Sequence, residues 1–144
     1  MAGLTIDDAM PRIIDAKTHG IIDYIHAGTN FFAAALFRKN RRARNAALAL
    51  GAGVLANALM TDYPLGVFRL YSFKVHGILD YGVAATSAAL PALLGIKDSP
   101  GAKYFRAQGA GETVIAGISN YDDDSGAVRH RRRLEKRFER RRAA

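Results

Sequence analysis

Two stretches of this chain run for more than a dozen residues without a charge, 45–61 and 81–96. A third, 24–37, is uncharged apart from His26, and a short fourth, 113–121, follows Glu112. Ala and Leu dominate them and β-branched residues are few, so each reads as helix. The 45–61 stretch has no polar stripe at helical spacing beyond Asn57, although a surface helix of a soluble domain should carry one. Small residues are dense: Gly51, Ala52, Gly53 and Ala56 in one helix, Ala84, Ala85, Ser87, Ala88 and Ala89 in another. Such faces let helix backbones approach closely in lipid. None of the stretches reaches the apolar run of about 18 residues that marks a membrane span by itself. Each approaches that length only by taking in an acid or a His near one end. The pattern predicts four transmembrane helices, near 19–37, 45–61, 74–96 and 107–121. A soluble Ala-rich four-helix bundle is the competing fold, and it would need polar outer faces that these helices lack.

The chain also contains itself twice. Lys17-Thr-His-Gly-Ile-Ile-Asp-Tyr24 recurs as Lys74-Val-His-Gly-Ile-Leu-Asp-Tyr81, at an offset of 57. The second helices align at an offset of 58: Gly51-Ala-Gly53 with Gly109-Ala-Gly111, and Thr61-Asp-Tyr63 with Ser119-Asn-Tyr121. Two helices per copy means that both copies enter a membrane from the same side, as parallel repeats. The predicted fold is therefore an all-α, four-transmembrane-helix bundle built from two parallel helix-hairpin repeats, with a basic C-terminal tail. Its expected divisions are an N-terminal segment 1–16, repeat 1 at 17–66, repeat 2 at 67–124 and the tail at 125–144.

Composition changes this picture in two ways. With no Cys, disulfides, thiolate metal sites and Cys nucleophiles are excluded. The net charge of +8 is concentrated: residues 129–142 hold nine Lys/Arg against two Glu, leaving about +1 for the rest. A basic tail on a near-neutral body argues against a nucleic-acid surface. Its Arg131, Arg132, Arg133, Lys136 and Arg137, with Leu134 and Phe138 one helical turn apart, suit a short helix on anionic headgroups; a solvated arm is the alternative. The start of the chain shows no signal-peptide pattern. Four crossings would put both termini on one side. That side carries 13 of the Lys/Arg, including the nine of the tail, against 8 on the other, which favours cytoplasmic termini.

The chemistry lies in the duplicated motif. His19 and Asp23 stand at i and i+4, as do His76 and Asp80, so each pair shares a helix face and can touch. The Asp would then fix the imidazole tautomer. Gly20 and Gly77 leave room beside each His for a neighbouring helix or a ligand, while Tyr24 and Tyr81 turn away toward an interfacial belt. Three readings stay open. Each pair is a polar clamp between helices; or the pairs form a cluster for a proton, cation or small ligand between the halves; or His19 and His76 are symmetric ligands of a metal or a haem iron. Glu112 has Val54 at its equivalent place and either faces the interior or lies at the interface. His26 is likewise unduplicated and reads as a packed His. Asp122-Asp123-Asp124 lacks the alternation and closing Glu of a calcium loop. There is no Ser/His/Asp array, HExxH or phosphate loop.

These features together resemble the SPW-repeat family of small bacterial membrane proteins, which have a duplicated two-helix unit. The resemblance rests on His19-Gly20…Asp23-Tyr24, Thr61-Asp62-Tyr63-Pro64-Leu65-Gly66 and Lys74…His76…Asp80, and spans roughly 17–121. The places of the Ser-Pro-Trp tripeptide hold Ala33-Ala34-Ala35 and Leu90-Pro91-Ala92. The resemblance implies location and fold, and no biochemical activity. The expected function is that of a small polytopic protein of the bacterial inner membrane, structural or an accessory subunit of a membrane complex. A ligand-, ion- or haem/metal-binding bundle using the His–Asp pairs is the alternative. No cofactor is required by the sequence, no catalytic residue is assigned, and the expected partners are the lipid bilayer and a larger complex or further copies of the chain.

Overall fold

The computed structural model describes residues 11–123 and 125–142, so the first ten residues of the expected N-terminal segment lie outside it. The described chain is all-α: α1 (Ala16–Leu36), α2 (Arg41–Met60), α3 (Phe73–Leu93), α4 (Pro100–Ile118) and α5 (Ser125–Arg142). Two two-residue strands, β1 (Thr61–Asp62) and β2 (Tyr71–Ser72), join α2 to α3.

The helices start where side chains can satisfy their first N–H groups. Asp15 accepts from Thr18 N at 2.7 Å, Asn40 from Ala43 N at 3.1 Å, Ser72 from Val75 N at 3.4 Å and Ser99 from Ala102 N at 3.3 Å. These caps explain where the helices depart from the apolar runs. α2 begins at Arg41 and includes Arg41, Arg42 and Arg44, because Asn40 nucleates it ahead of the uncharged stretch. α4 begins at Pro100, seven residues before the expected 107, because Ser99 caps it and Pro100 occupies a first-turn position that needs no donor. Lys103 and Arg106 thus sit inside the helix.

α1 packs along α2, and α3 along α4, as two hairpins. Each hairpin is then stitched to the other at the end where α1 and α3 begin. β1 and β2 pair in parallel, Thr61 with Tyr71 and Asp62 with Ser72. The same arrangement recurs between the outer segments: Ile14 pairs in parallel with Ser119, and Asn120 N donates to Ile14 O at 2.8 Å. So the residues entering α1 lie against the exit of α4, and those entering α3 against the exit of α2. Sequence duplication has become a near-twofold arrangement closed in both directions.

The core at the far end is built from Ala33, Ala34, Ala43, Ala47, Leu50, Ile96 and Phe105. Small side chains bring the backbones close; a Cβ on Gly109 would lie 2.8 Å from the Ala84 carbonyl oxygen. Large apolar side chains point the other way. Ile21, Ile25, Phe32, Leu36, Ile78, Leu93 and Val114 are exposed, while His19, Asp23, Asn30, Asn57, His76, Asp80 and Glu112 are buried. Among the described residues only α2 is long and apolar enough by composition to cross a membrane. α1 and α3 fall short because they carry the motif's Lys, His and Asp, and their His and Asp face inward.

Candidate functional site

The duplicated motif converges on one point. At the stitched end, α1 and α3 turn their first-turn histidines toward each other, and His19 Nε2 lies 3.1 Å from His76 Nε2. Each of these nitrogens also faces both aspartates. His19 Nε2 is 3.2 Å from Asp23 Oδ1 and 3.2 Å from Asp80 Oδ2; His76 Nε2 is 3.3 Å from Asp23 Oδ2 and 3.2 Å from Asp80 Oδ1. The expected pairs within each helix therefore exist, but they are half of a single four-residue group. Both imidazoles are 0% exposed and both aspartates 3%.

Two hydroxyls set the tautomers, and each comes from the opposite hairpin. Ser119 Oγ lies 2.7 Å from His19 Nδ1, and Thr61 Oγ1 lies 2.7 Å from His76 Nδ1. Each hydroxyl already donates its hydrogen one turn back, Ser119 to Ile115 O at 2.7 Å and Thr61 to Asn57 O at 2.6 Å. Its oxygen is left to accept, so each Nδ1 donates. A neutral ring then presents the Nε2 lone pair to the centre. Asp supplies no tautomer control here; the hydroxyls do.

Two tyrosines hold the carboxylates. Tyr63 OH donates to Asp23 Oδ2 at 3.0 Å, and Tyr121 OH to Asp80 Oδ2 at 2.8 Å. Burial, then the adjacent carboxylate, pushes both phenols far above their ordinary range, so they remain donors. The motif glycines are what let these rings in. A Cβ on Gly20 would lie 2.8 Å from the Tyr63 ring, and one on Gly77 would lie 2.8 Å from the Tyr121 ring. The room beside each His is thus filled by tyrosine. Asp80 has one more donor, Asn57 Nδ2 at 3.1 Å, which Tyr71 OH positions through Asn57 Oδ1. Phe73 closes the group, its ring centroid 5.1 Å from that of His19 and 4.8 Å from that of Tyr121.

Four residues, His19, Asp23, His76 and Asp80, have ligand atoms that all lie within 4.8 Å of one another, an arrangement able to hold a metal ion. Two imidazole nitrogens 3.1 Å apart leave no space for a porphyrin plane between them, so they do not form an axial haem pair.

Glu112 is not part of this group. It meets His26, with Glu112 Oε2 2.8 Å from His26 Nδ1 and both side chains more than nine-tenths buried. Tyr24 is half-buried and donates to Leu65 O at 3.0 Å, whereas Tyr81 is exposed. In the tail, Arg131, Arg132, Arg133, Lys136 and Arg137 lie exposed on α5, as do Leu134 and Phe138. Sequence reasoning gave no site role to Tyr63, Tyr121, Thr61, Ser119 or Asn57. The signal for the first four was present: the hydroxyl and the tyrosine two residues later recur at the 58-residue offset. Comparisons of the chain with protein-family models, with curated proteins and with solved structures found no match.

Proposed function

We propose that the chain is a polytopic integral membrane protein, a structural or accessory component whose two helix hairpins are locked together at one shared polar centre. The observation that carries this reading is the inverted polarity of the bundle: ionisable groups are buried and large apolar side chains cover the outside. Helices of 19 to 21 residues are about 30 Å long, the thickness of a bilayer's hydrocarbon core. The 63–70 connector supports the same placement. It exposes Val67, Phe68 and Leu70 beside Arg69 and Lys74, a mixture suited to the interface between headgroups and acyl chains. In this reading α1–α4 cross four times, as in the SPW-repeat architecture the sequence resembles, and α5 lies on anionic headgroups through its arginines. The charge count supports cytoplasmic termini in a bacterial cell.

Fractionation tests the reading. The full chain expressed without detergent is expected in the membrane pellet, resistant to carbonate washing, with a reporter at Ala144 active on the cytoplasmic side. Recovery in the aqueous fraction would refute it.

The second reading, an ion-binding bundle, is favoured by the two Nε2 lone pairs that face one point between two carboxylates.

A further inference from the structure

We infer that His19, Asp23, His76 and Asp80 bind one divalent transition-metal ion of the zinc class, in a site closed to water that clamps the two hairpins together. This deepens the ion-binding reading and depends on the shared centre, not on the bilayer.

Charge comes first. With neutral imidazoles, the two buried carboxylates leave two negative charges that no Lys or Arg among the described residues pairs with. Burying uncompensated charge is costly. One divalent cation makes the group neutral. Two protons would do the same, one on each Nε2 facing carboxylate oxygens 3.2 to 3.3 Å away, and the metal content of the purified chain distinguishes the two.

Geometry agrees. A tetrahedral ion with metal–ligand distances of about 2.0 Å has donors about 3.3 Å apart. The imidazole–imidazole and imidazole–carboxylate separations here are 3.1 to 3.3 Å, each aspartate meeting the two rings through different oxygens, and one ligand atom from each of the four residues lies within 4.8 Å of the others. Two imidazole nitrogens select a zinc-like ion over calcium or magnesium, which take oxygen ligands. The surroundings are those of a finished metal site. Both Nδ1–H groups donate to hydroxyls, which orients the imidazoles and raises their basicity, and both carboxylates accept from tyrosines, which orients them.

The site's role follows from its closure. A catalytic zinc keeps a position open to water, whereas a structural one is enclosed by four protein ligands. Here each hairpin supplies one His and one Asp, and each hairpin also supplies the hydroxyl that supports the other's His. The ion therefore joins α1 to α3, helices that otherwise meet little.

The test uses the full chain, purified in detergent from cells grown in minimal medium with Zn²⁺, and separately with Co²⁺. Elemental analysis is expected to give about one metal ion per chain, retained through dialysis. The Co²⁺ form should show the intense visible absorption of a tetrahedral site. Asp80→Asn should drop the metal content below about a tenth of that value, while His26→Ala should leave it unchanged. Thr61→Val keeps all four ligands and should weaken affinity by about 10–100-fold, which gives a readout if ligand variants do not fold. A folded, membrane-bound chain that takes up neither ion would overturn the metal site and leave the membrane reading standing. An aqueous chain that holds one ion would do the reverse. Metal content unchanged in Asp80→Asn and Thr61→Val would also overturn the site.

Discussion

His19 and His76 each have both ring nitrogens engaged, whereas His26 uses one. The first two donate from Nδ1 to a hydroxyl and turn Nε2 toward two carboxylates and each other. His26 meets a single carboxylate through Nδ1, and its buried Nε2 has no hydrogen-bond partner among the described residues. Their settings differ too. The shared centre is enclosed by Tyr63, Phe73 and Tyr121. The His26–Glu112 pair lines a groove with Ile22, Ile25 and Val114 on the outer face of α1 and α4. The contrast follows the duplication. Every member of the central group except Asn57 and Phe73 occurs in both halves, with its supporting hydroxyl or phenol. His26 and Glu112 stand opposite Val83 and Val54, so neither half was built around them. The polar group whose partners come in matched sets is fully satisfied; the single pair is satisfied only in part.

The comparison is broken most severely at the carboxylates. Asp23→Ala leaves the centre with one carboxylate and should cost about 3–5 kcal/mol in thermal unfolding followed by circular dichroism in detergent. Gly77→Ala should cost about 1–3 kcal/mol by driving a methyl into the Tyr121 ring, measured in the same way. Phenol removal sharpens the asymmetry between the halves. Tyr63→Phe takes from Asp23 the phenol that donates to it, and should cost about 1–3 kcal/mol. Tyr121→Phe should cost less, because Asp80 keeps Asn57. At the other pair, replacing both His26 and Glu112 by Leu should be nearly neutral or stabilising, within about 1 kcal/mol. Equal losses at the two sites would erase the distinction.

The smallest effect concerns the surface beside the centre. Asp122 pairs with Lys74 at 2.8 Å and Arg12 at 3.0 Å. The Lys74 hydrogen bond, then its charge, holds the Asp122 carboxyl below its ordinary value. A lowered carboxyl contributes stability above its unfolded pKa of about 3.9, and that contribution is lost as pH falls through the folded value. Asp122→Asn should therefore slightly flatten the acid limb of the melting-temperature profile. An unchanged profile would show the pair to be inert, as many exposed pairs are.

The four centre residues were legible because a repeated i, i+4 His–Asp spacing survives in the sequence whatever the fold. That the two pairs merge was one of three readings left open, since the choice among them depends on how the hairpins cross. The hydroxyls belong to the partner hairpin's exit, so Ser119 supports a His 100 residues away. Helix starts were misplaced where a cap, not apolarity, decides them, at Asn40 and Ser99. The glycines were read as room for a neighbouring helix or a ligand because the rings that fill the space arrive from about 40 residues further along the chain.

The central claim is that the two motifs make one site. A double-mutant cycle on His19→Ala and His76→Ala, read as unfolding free energy in detergent, tests it most directly. A shared centre predicts that either substitution alone inflicts most of the damage, so the double variant loses far less than the sum. Losses that add to within about 0.5 kcal/mol would mean two independent pairs, and would contradict the shared centre.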